Sequence, residues 1–309
     1  MGHDVWVLNR RRTLKTRRSI DDLDIHIIKA DIRDISNIKK IMENEYWDVV
    51  LDFICYKAED AYADIEFFKG KIKQFIFISS GANYDRSKVT YPITENAVLG
   101  AENWDYVKGK IDCEEVFIKE WRKSKFPITI IRPGHTYDTL LPDAVGNGDW
   151  TNAQRMQIGQ PIVVHGDGTN LWTITHGEDM ATAIEALLGN EKAYGEVYHI
   201  TSDEHLNWIE ITRLLGNALK IGNPEIIFVP SIKILEEDFS VGIGIVGHKM
   251  WPDIYDNSKI KSIAYGWKAE KDAEKGIYES VKWLQEDSGR QRVNSNLNAV
   301  IDRLCERYR

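Results

Sequence analysis

Three near-continuous apolar runs, WDVVLDFI, KQFIFISS and ITIIRP, limit most tightly what this chain can become. Each has the length of a strand and is apolar on both faces, as suits a strand covered on each side. Between them lie segments with helical spacing: AEDAYADIEFFKG, closed by Gly70, and a long helix predicted over 104–123. Upstream, MGHDVWVLNRRR holds a short alternating strand over 4–8, DIHIIKAD reads as a strand and ISNIKKIMENEY as a helix. Strands alternating with helices predict an α/β fold with a mostly parallel, doubly wound sheet.

The second half is less regular. PDAVGNGDW and VVHGDGTN read as loops. GEDMATAIEALLGN is an amphipathic helix, EVYHIT a strand, NWIEITRLLGNALK a helix with Asn207 as its N-cap, and EIIFVP a strand. KDAEKGIYESVKWLQED and the tail NSNLNAVIDRLCERYR are helical. There is no repeat or flexible linker, so two domains would have to share strands. The formal net charge of -8 argues against a nucleic acid or an anionic membrane as partner. Cys55, Cys113 and Cys305 lack close spacing and read as reduced thiols. No apolar run is long enough to cross a bilayer, which makes the cytoplasm the default address.

In a parallel sheet, ligands sit beyond the carboxyl ends of the strands. FIFISSGANYD brings Ser79 and Ser80 to such an end, with Tyr84 in the turn that follows. Tyr106 and Lys110, four apart on a predicted helix, share one face. A phenol of pKa about 10 is a poor base at neutral pH, and a nearby ammonium should lower that value. The spacing alone is weak, because Tyr84/Lys88, Tyr255/Lys259 and Tyr278/Lys282 share it. Only Tyr106 opens a helix between two buried strands shortly after Ser80.

GHDVWVLNR, ADIRD, FIFISSGANYD, DYVKGK, IRPGHTYD and DNSKIKSIAYGWKAE occur in the order and spacing of the extended short-chain dehydrogenase/reductases. Within them the chain resembles the NAD(P)-dependent epimerase/dehydratase group, including its atypical members, over nearly its whole length. The resemblance implies a Rossmann-like doubly wound sheet over 1–147 and 173–204, and a smaller α+β substrate lobe over 148–172 and 205–309. It implies that Ser80 polarises the substrate oxygen, Tyr106 is the acid/base and Lys110 its partner. Pro133 would lie near the nicotinamide, and Asp31 and Ile32 resemble an adenine-contacting pair. Ser79, Tyr84, His135 and Trp172 are the expected substrate-side residues. A homodimer packed through the Tyr106 helix would be usual for such a protein.

After the second strand, NAD-preferring proteins offer a carboxylate to the ribose. Here stand Asn9, Arg10, Arg11 and Arg12, and a guanidinium suits a 2′-phosphate, so NADP is expected in preference to NAD. The resemblance also puts a first strand, a glycine-rich turn and a helix ahead of GHDV. No G-x-x-G-x-x-G occurs in the sequence; GDGTN and VGIGIVG come too late. A miscalled or shortened start, a natural loss, or refilling of the gap by the tail 294–309 are the readings left open. Dinucleotide binding is expected to be weakened accordingly.

Nucleotide-sugar enzymes of the group commonly carry an arginine where this chain has Trp172, which puts a diphosphate-bearing substrate in doubt; Arg155 could substitute. His176 reads as a structural contact at a helix start. His165 and Asp167 lack further ligands at a usual spacing, so no metal is expected. The leading expectation is an enzyme acting at a carbinol or ketone, of a sugar or nucleotide sugar among others, by hydride transfer. The alternatives are a non-catalytic binding or regulatory protein on the same fold, or an RNA binder, since the atypical branch includes chloroplast stem-loop-binding proteins.

Overall fold

The computed structural model describes residues 2–10, 23–42, 45–100 and 104–309, so Arg11 and Arg12 lie outside the described residues. In chain order, β1 (Trp6–Asn9) and β2 (His26–Lys29) form a parallel pair, and α1 (Ile35–Ile41) follows, capped by Asp34. Next come β3 (Trp47–Asp52), α2 (Ala58–Phe68), β4 (Ile72–Ile78), α3 (Asp105–Ser124) and β5 (Ile128–Pro133). The less regular half supplies β6 (His135–Tyr137), α4 (Thr151–Gln157), β7 (Ile162–His165), β8 (Leu171–Trp172), β9 (Ile174–His176) and α5 (Gly177–Leu187). It continues with β10 (Glu196–Ile200), β11 (Leu206–Asn207), α6 (Trp208–Ala218), β12 (Ile226–Val229), α7 (Ser231–Glu237) and α8 (Phe239–Gly244). The chain ends in α9 (Ser258–Ile263), α10 (Ala273–Gln285) and α11 (Ser295–Tyr308).

The central sheet runs β10-β5-β4-β3, with every pair parallel. Its register explains the near-continuous apolar runs. Successive side chains of a strand point to opposite faces. In β4, Phe75 and Phe77 therefore pack with Ile128, Ile130, Phe117 and Cys113 beneath α2 and α3. Ile76 and Ile78 face the other way, onto Ile131, Ile200 and the Met180, Ala183, Ile184 and Leu187 stripe of α5. Both faces are covered, and the polar residues they hold are paired: Gln74 of β4 donates to Thr129 of β5 and to the Leu187 carbonyl.

Among the described residues, β1 pairs only with β2, and β3 only with β4. The β1–β2 pair rests on the same core: Leu8 and Ile28 join the cluster under α2 and α3, and Trp6 meets Trp47 edge-on with ring centroids 5.5 Å apart. The tail does not lie between them. Leu297, Val300, Ile301 and Leu304 of α11 pack on Val163, Ile227 and Val229 of the β7–β12 pair, in the C-terminal half. A helix could not have supplied a central strand's hydrogen bonds there in any case.

Asn207 caps α6 in a reciprocal capping box with Glu210. VGIGIVG runs through α8 into a π-helical turn over Ile245–Lys249. No helix among the described residues is long and apolar enough to cross a membrane. Ile130, fully buried between Phe77 and Val197 in the register, should report on the core: Ile130→Ala is expected to cost about 2–5 kcal/mol in urea unfolding.

Candidate active site

The turn after β4 is built around Ser80. Its Oγ accepts the Ala82 N–H at 3.1 Å and so caps a 3-10 turn over Gly81–Asn83. With that lone pair engaged, the hydroxyl can still act as a donor, and Ser80 lies close enough to the Tyr106 phenol to favour its ionised form. Gly81 is required by space. A Cβ there would meet the Pro133 carbonyl at 2.9 Å and run into the Tyr255 hydroxyl. Pro133, at the end of β5, thus lies directly against the serine turn.

Tyr106 opens α3 and remains 38% exposed, with Tyr56 and Trp104 on its flanks at ring distances of 6.3 and 5.4 Å. Gly109 lets α3 close on the loop after β3, since a side chain there would strike the Tyr56 carbonyl. The structure therefore brings Ser80 and Tyr106 together. Lys110 lies one helical turn on but points inward. It is only 2% exposed, donates to the Ile78 carbonyl at 2.8 Å, and sits over the Tyr56 and Phe77 rings at 4.5 and 4.8 Å. Burial lowers its pKa.

This corrects the expected tuning of the phenol. Tyr106 is raised above the ordinary phenol value, not lowered: burial outweighs the opposing Ser80 hydrogen bond. The Lys110 ammonium is spent on a carbonyl at the end of β4.

Ser79 and Tyr84 are not substrate-facing, because both are drawn into a buried network that spacing could not reveal. Ser79 donates to Glu114, one turn beyond Lys110 on α3, and accepts from Asn83 at 3.0 Å. Glu114 also accepts from Asn83 Nδ2 and is gripped by the Arg132 guanidinium. Arg132 in turn donates to the Tyr84 hydroxyl at 2.8 Å, which also bonds His199. The signals were a glutamate in the apolar stripe of a helix and an arginine inside the run ITIIRP.

Trp172 is fully buried in the core of the C-terminal half, against Trp208 at 4.8 Å and His248 at 4.7 Å. It fills its place and has no free face for stacking. His135 is half-buried beside the same two tryptophans; burial, Lys249 and His248 push its pKa down to about 3, so it is a neutral imidazole. His176 accepts from Glu178 N–H at the start of α5, as a cap. His165 is buried beside Trp208.

The cofactor-side residues lie at the ends of β1 and β2. Arg10 stands 3.5 Å from Asp31, and both are exposed. Asp31 also accepts the Arg33 N–H, and Ile32 is half-buried against the core. Asn9 closes β1, and Arg11 is outside the described residues. At the end of β3, Phe53, Ile54 and Tyr56 are exposed apolar surface, which suits a flat ring system. The Arg10 guanidinium and the Asp31 carboxylate are donor and acceptor groups of the kind that could hold the adenosine end of a dinucleotide. Among the described residues no glycine-rich strand-to-helix turn is present for the pyrophosphate.

Arg33 was not singled out by its spacing. It bonds Asp64 at 2.9 Å, Asp52 at 3.4 Å, Asp60 at 3.3 Å and the Ile54 carbonyl. Asp52, Cys55 and Asp64 bring ligand atoms within 4.8 Å of one another, but Arg33 already supplies the positive charge there. Cys55 also touches Cys113, Sγ to Sγ, at 3.4 Å; both are free thiols.

A parallel sheet of Rossmann type, with a serine–tyrosine pair at its carboxyl rim, defines the class: an extended short-chain dehydrogenase/reductase. The chain belongs to the NAD dependent epimerase/dehydratase family, whose sequence profile matches residues 1–201. It is 28% identical over 200 residues to the chloroplast stem-loop binding protein of 41 kDa b from Arabidopsis thaliana, covering 65% of this chain and 50% of that one. It is 27% identical over 184 residues to 2′-dehydrokanamycin reductase from Streptomyces kanamyceticus, covering 58% and 51%. The chain thus spans about half the length of both. An epimerase from Methanothermobacter thermautotrophicus shares the fold with a TM-score of 0.76, at 15% identity over 93% of this chain and 86% of that one.

Two outcomes are expected. Glu114→Gln leaves the Arg132 charge buried without its counter-ion and should destabilise by about 3–5 kcal/mol in denaturant unfolding. Asp64 is raised to about 9 by burial and Asp52, above an unfolded value of about 3.9. The native state then holds more protons in that window, and stability declines as pH rises through it. In thermal melts, Asp64→Asn should gain on the wild type between about pH 5 and about pH 8.

Proposed function

We propose that the chain is an NADP-dependent enzyme of this family, a reductase, epimerase or dehydratase acting at a carbinol or ketone. The observation that carries the reading is the half-buried Ser80 beside the partly exposed Tyr106 phenol at the carboxyl rim of a parallel sheet. Ser80, its lone pair fixed by Ala82, would hold the substrate oxygen; Tyr106 would give or take that oxygen's proton. A phenol kept protonated suits proton donation to a carbonyl, the reductive direction. Lys110 would add a fixed positive charge beneath the pair while tying α3 to β4. Arg10 with Arg11 would hold a 2′-phosphate, Asn9, Asp31 and Ile32 the adenosine end, and Pro133 would lie at the nicotinamide end. Bound there, the dinucleotide would supply or accept the hydride. The Arg10–Asp31 pair is exposed and worth about 0–1 kcal/mol, so a phosphate can take it over at small cost.

The engagement of three buried or half-buried cations supports a substrate without a diphosphate. Arg86 is held by Asp253 and the Gly81 carbonyl, Lys249 by Asp143, and Arg155 by Asp302, Asn298 and the Pro161 carbonyl. Each cation is committed, and His135 is neutral. The name of one relative, a 2′-dehydrokanamycin reductase, supports a reductive reaction. A homodimer working in the cytoplasm, where its three buried thiols stay reduced, completes the proposal.

A second reading, RNA binding, is favoured by the likeness to the chloroplast stem-loop binding protein and opposed by the net charge of -8. Steady-state NADPH consumption over a panel of sugar and cyclic ketones decides between them. Tyr106→Phe should lower turnover by about 10²–10⁴-fold with an unchanged melting temperature. Unchanged turnover would end the assignment. No turnover at all, together with a salt-dependent gel shift of an RNA hairpin, would favour the second reading.

A further inference from the structure

VGIGIVG has no part in phosphate binding, yet its glycines meet the site from the other side. Gly244 and Gly247 lie three apart on the α8–π-helix segment and share one face. The benzo ring of Trp104 straddles both. A Cβ built on Gly244 would stand 3.6 Å from Cζ2 and 3.7 Å from Cη2 of that indole; one on Gly247 would stand 2.9 Å from Cε3. The first is an ordinary contact, the second a clash. The glycines therefore form a seat that the indole fills at close range.

The seat is fixed to the C-terminal half. The Lys249 carbonyl accepts from Trp208 and Asn170, Lys249 Nζ reaches Asp143, and His248 bonds Asp253 at 2.9 Å. Trp104 is also the N-cap residue of α3, where its side chain makes no capping hydrogen bond. Its ring is given instead to the seat on one side and to Tyr106, two residues on, on the other. Tyr56 stands on the phenol's far side.

We propose that Trp104, seated on Gly244 and Gly247, is the positioning residue that holds the Tyr106 ring against Ser80 and makes that contact depend on where the α8–π-helix segment lies. The proposal rests on the reading of Tyr106 as the proton-handling group. Ser80 from the end of β4 and Tyr56 from the loop after β3 are the groups that act on the phenol's charge. Lys110 on the same helix is turned to the Ile78 carbonyl, and His248 and Lys249 of the seat are turned to Asp253 and Asp143. Loss of the indole opens the ring to water and loosens the Ser80 contact; burial is the larger of these two opposing effects, so the phenol should ionise more readily.

The full chain, labelled with ¹³C at tyrosine Cζ, permits an NMR titration in which the Tyr106 resonance is assigned by its loss in Tyr106→Phe. Trp104→Leu and Gly247→Val should each move the Tyr106 midpoint down toward the ordinary phenol value of about 10. Trp104→Phe, which keeps an aromatic ring on the seat, should retain the wild-type midpoint, as should Gly244→Ala, whose methyl meets the indole at ordinary contact distance. A wild-type midpoint in Trp104→Leu overturns the proposal, and so does a Trp104→Phe variant displaced as far as Trp104→Leu. Trp104→Leu carries the test alone if Gly247→Val does not fold. The measurement needs no substrate, so its failure is distinct from failure of the enzymatic reading.

Discussion

The buried carboxylate of Glu114 is the constraint on which the rest of the site depends. One side chain from α3 gathers the end of β4 through Ser79, the following turn through Asn83 and the end of β5 through Arg132. An uncompensated charge in such a place costs several kcal/mol, so the four groups hold together or fail together. The helix that bears Tyr106 and Lys110 is thereby locked in rotation and height against the strand that ends in Ser80. Packing of Phe77, Phe117 and Cys113 fixes the helix near the sheet, but apolar contact is non-directional. The carboxylate supplies direction.

The site then reads as two layers. An inner one, made of Ser79, Asn83, Glu114, Arg132, Tyr84 and His199, is buried and hydrogen-bonded throughout, save for the Asn83 Oδ1. An outer one, made of Ser80, Tyr106 and the flanking rings of Tyr56 and Trp104, meets solvent. Lys110 belongs to the first by burial and to the second by sequence. Its ammonium lies among Cys55, Cys113, Asp52 and Glu114, and its hydrogen bond closes β4.

What was legible in the sequence follows from which forces leave a periodic trace. Parallel strands covered on both faces leave unbroken apolar runs, and the runs at Trp47, Gln74 and Ile128 became strands. Asn207 and Glu210 announced a helix start because a capping box has fixed spacing. Pairing between distant segments leaves no such trace. The β7–β12 and β6–β9 pairs join segments far apart in the chain, and neither was foreseen. The tyrosine and the two serines were visible as residues, but the division of labour between Ser79 and Ser80 was not. Adjacent residues on a strand point to opposite sides, and only the partner waiting on each side tells them apart. Direction likewise escaped for Lys110: spacing puts it on the Tyr106 face, while a flexible four-carbon stem lets the ammonium find a carbonyl instead.

The cage of three aspartates around Arg33 has a thermodynamic corollary. With Asp64 pushed up to about 9, the native protein retains a proton that the unfolded chain has already released at neutrality. At this one side chain, acquiring the native structure therefore draws a hydrogen ion out of the medium, a contribution to the refolding heat that the buried neutral histidines offset by releasing theirs.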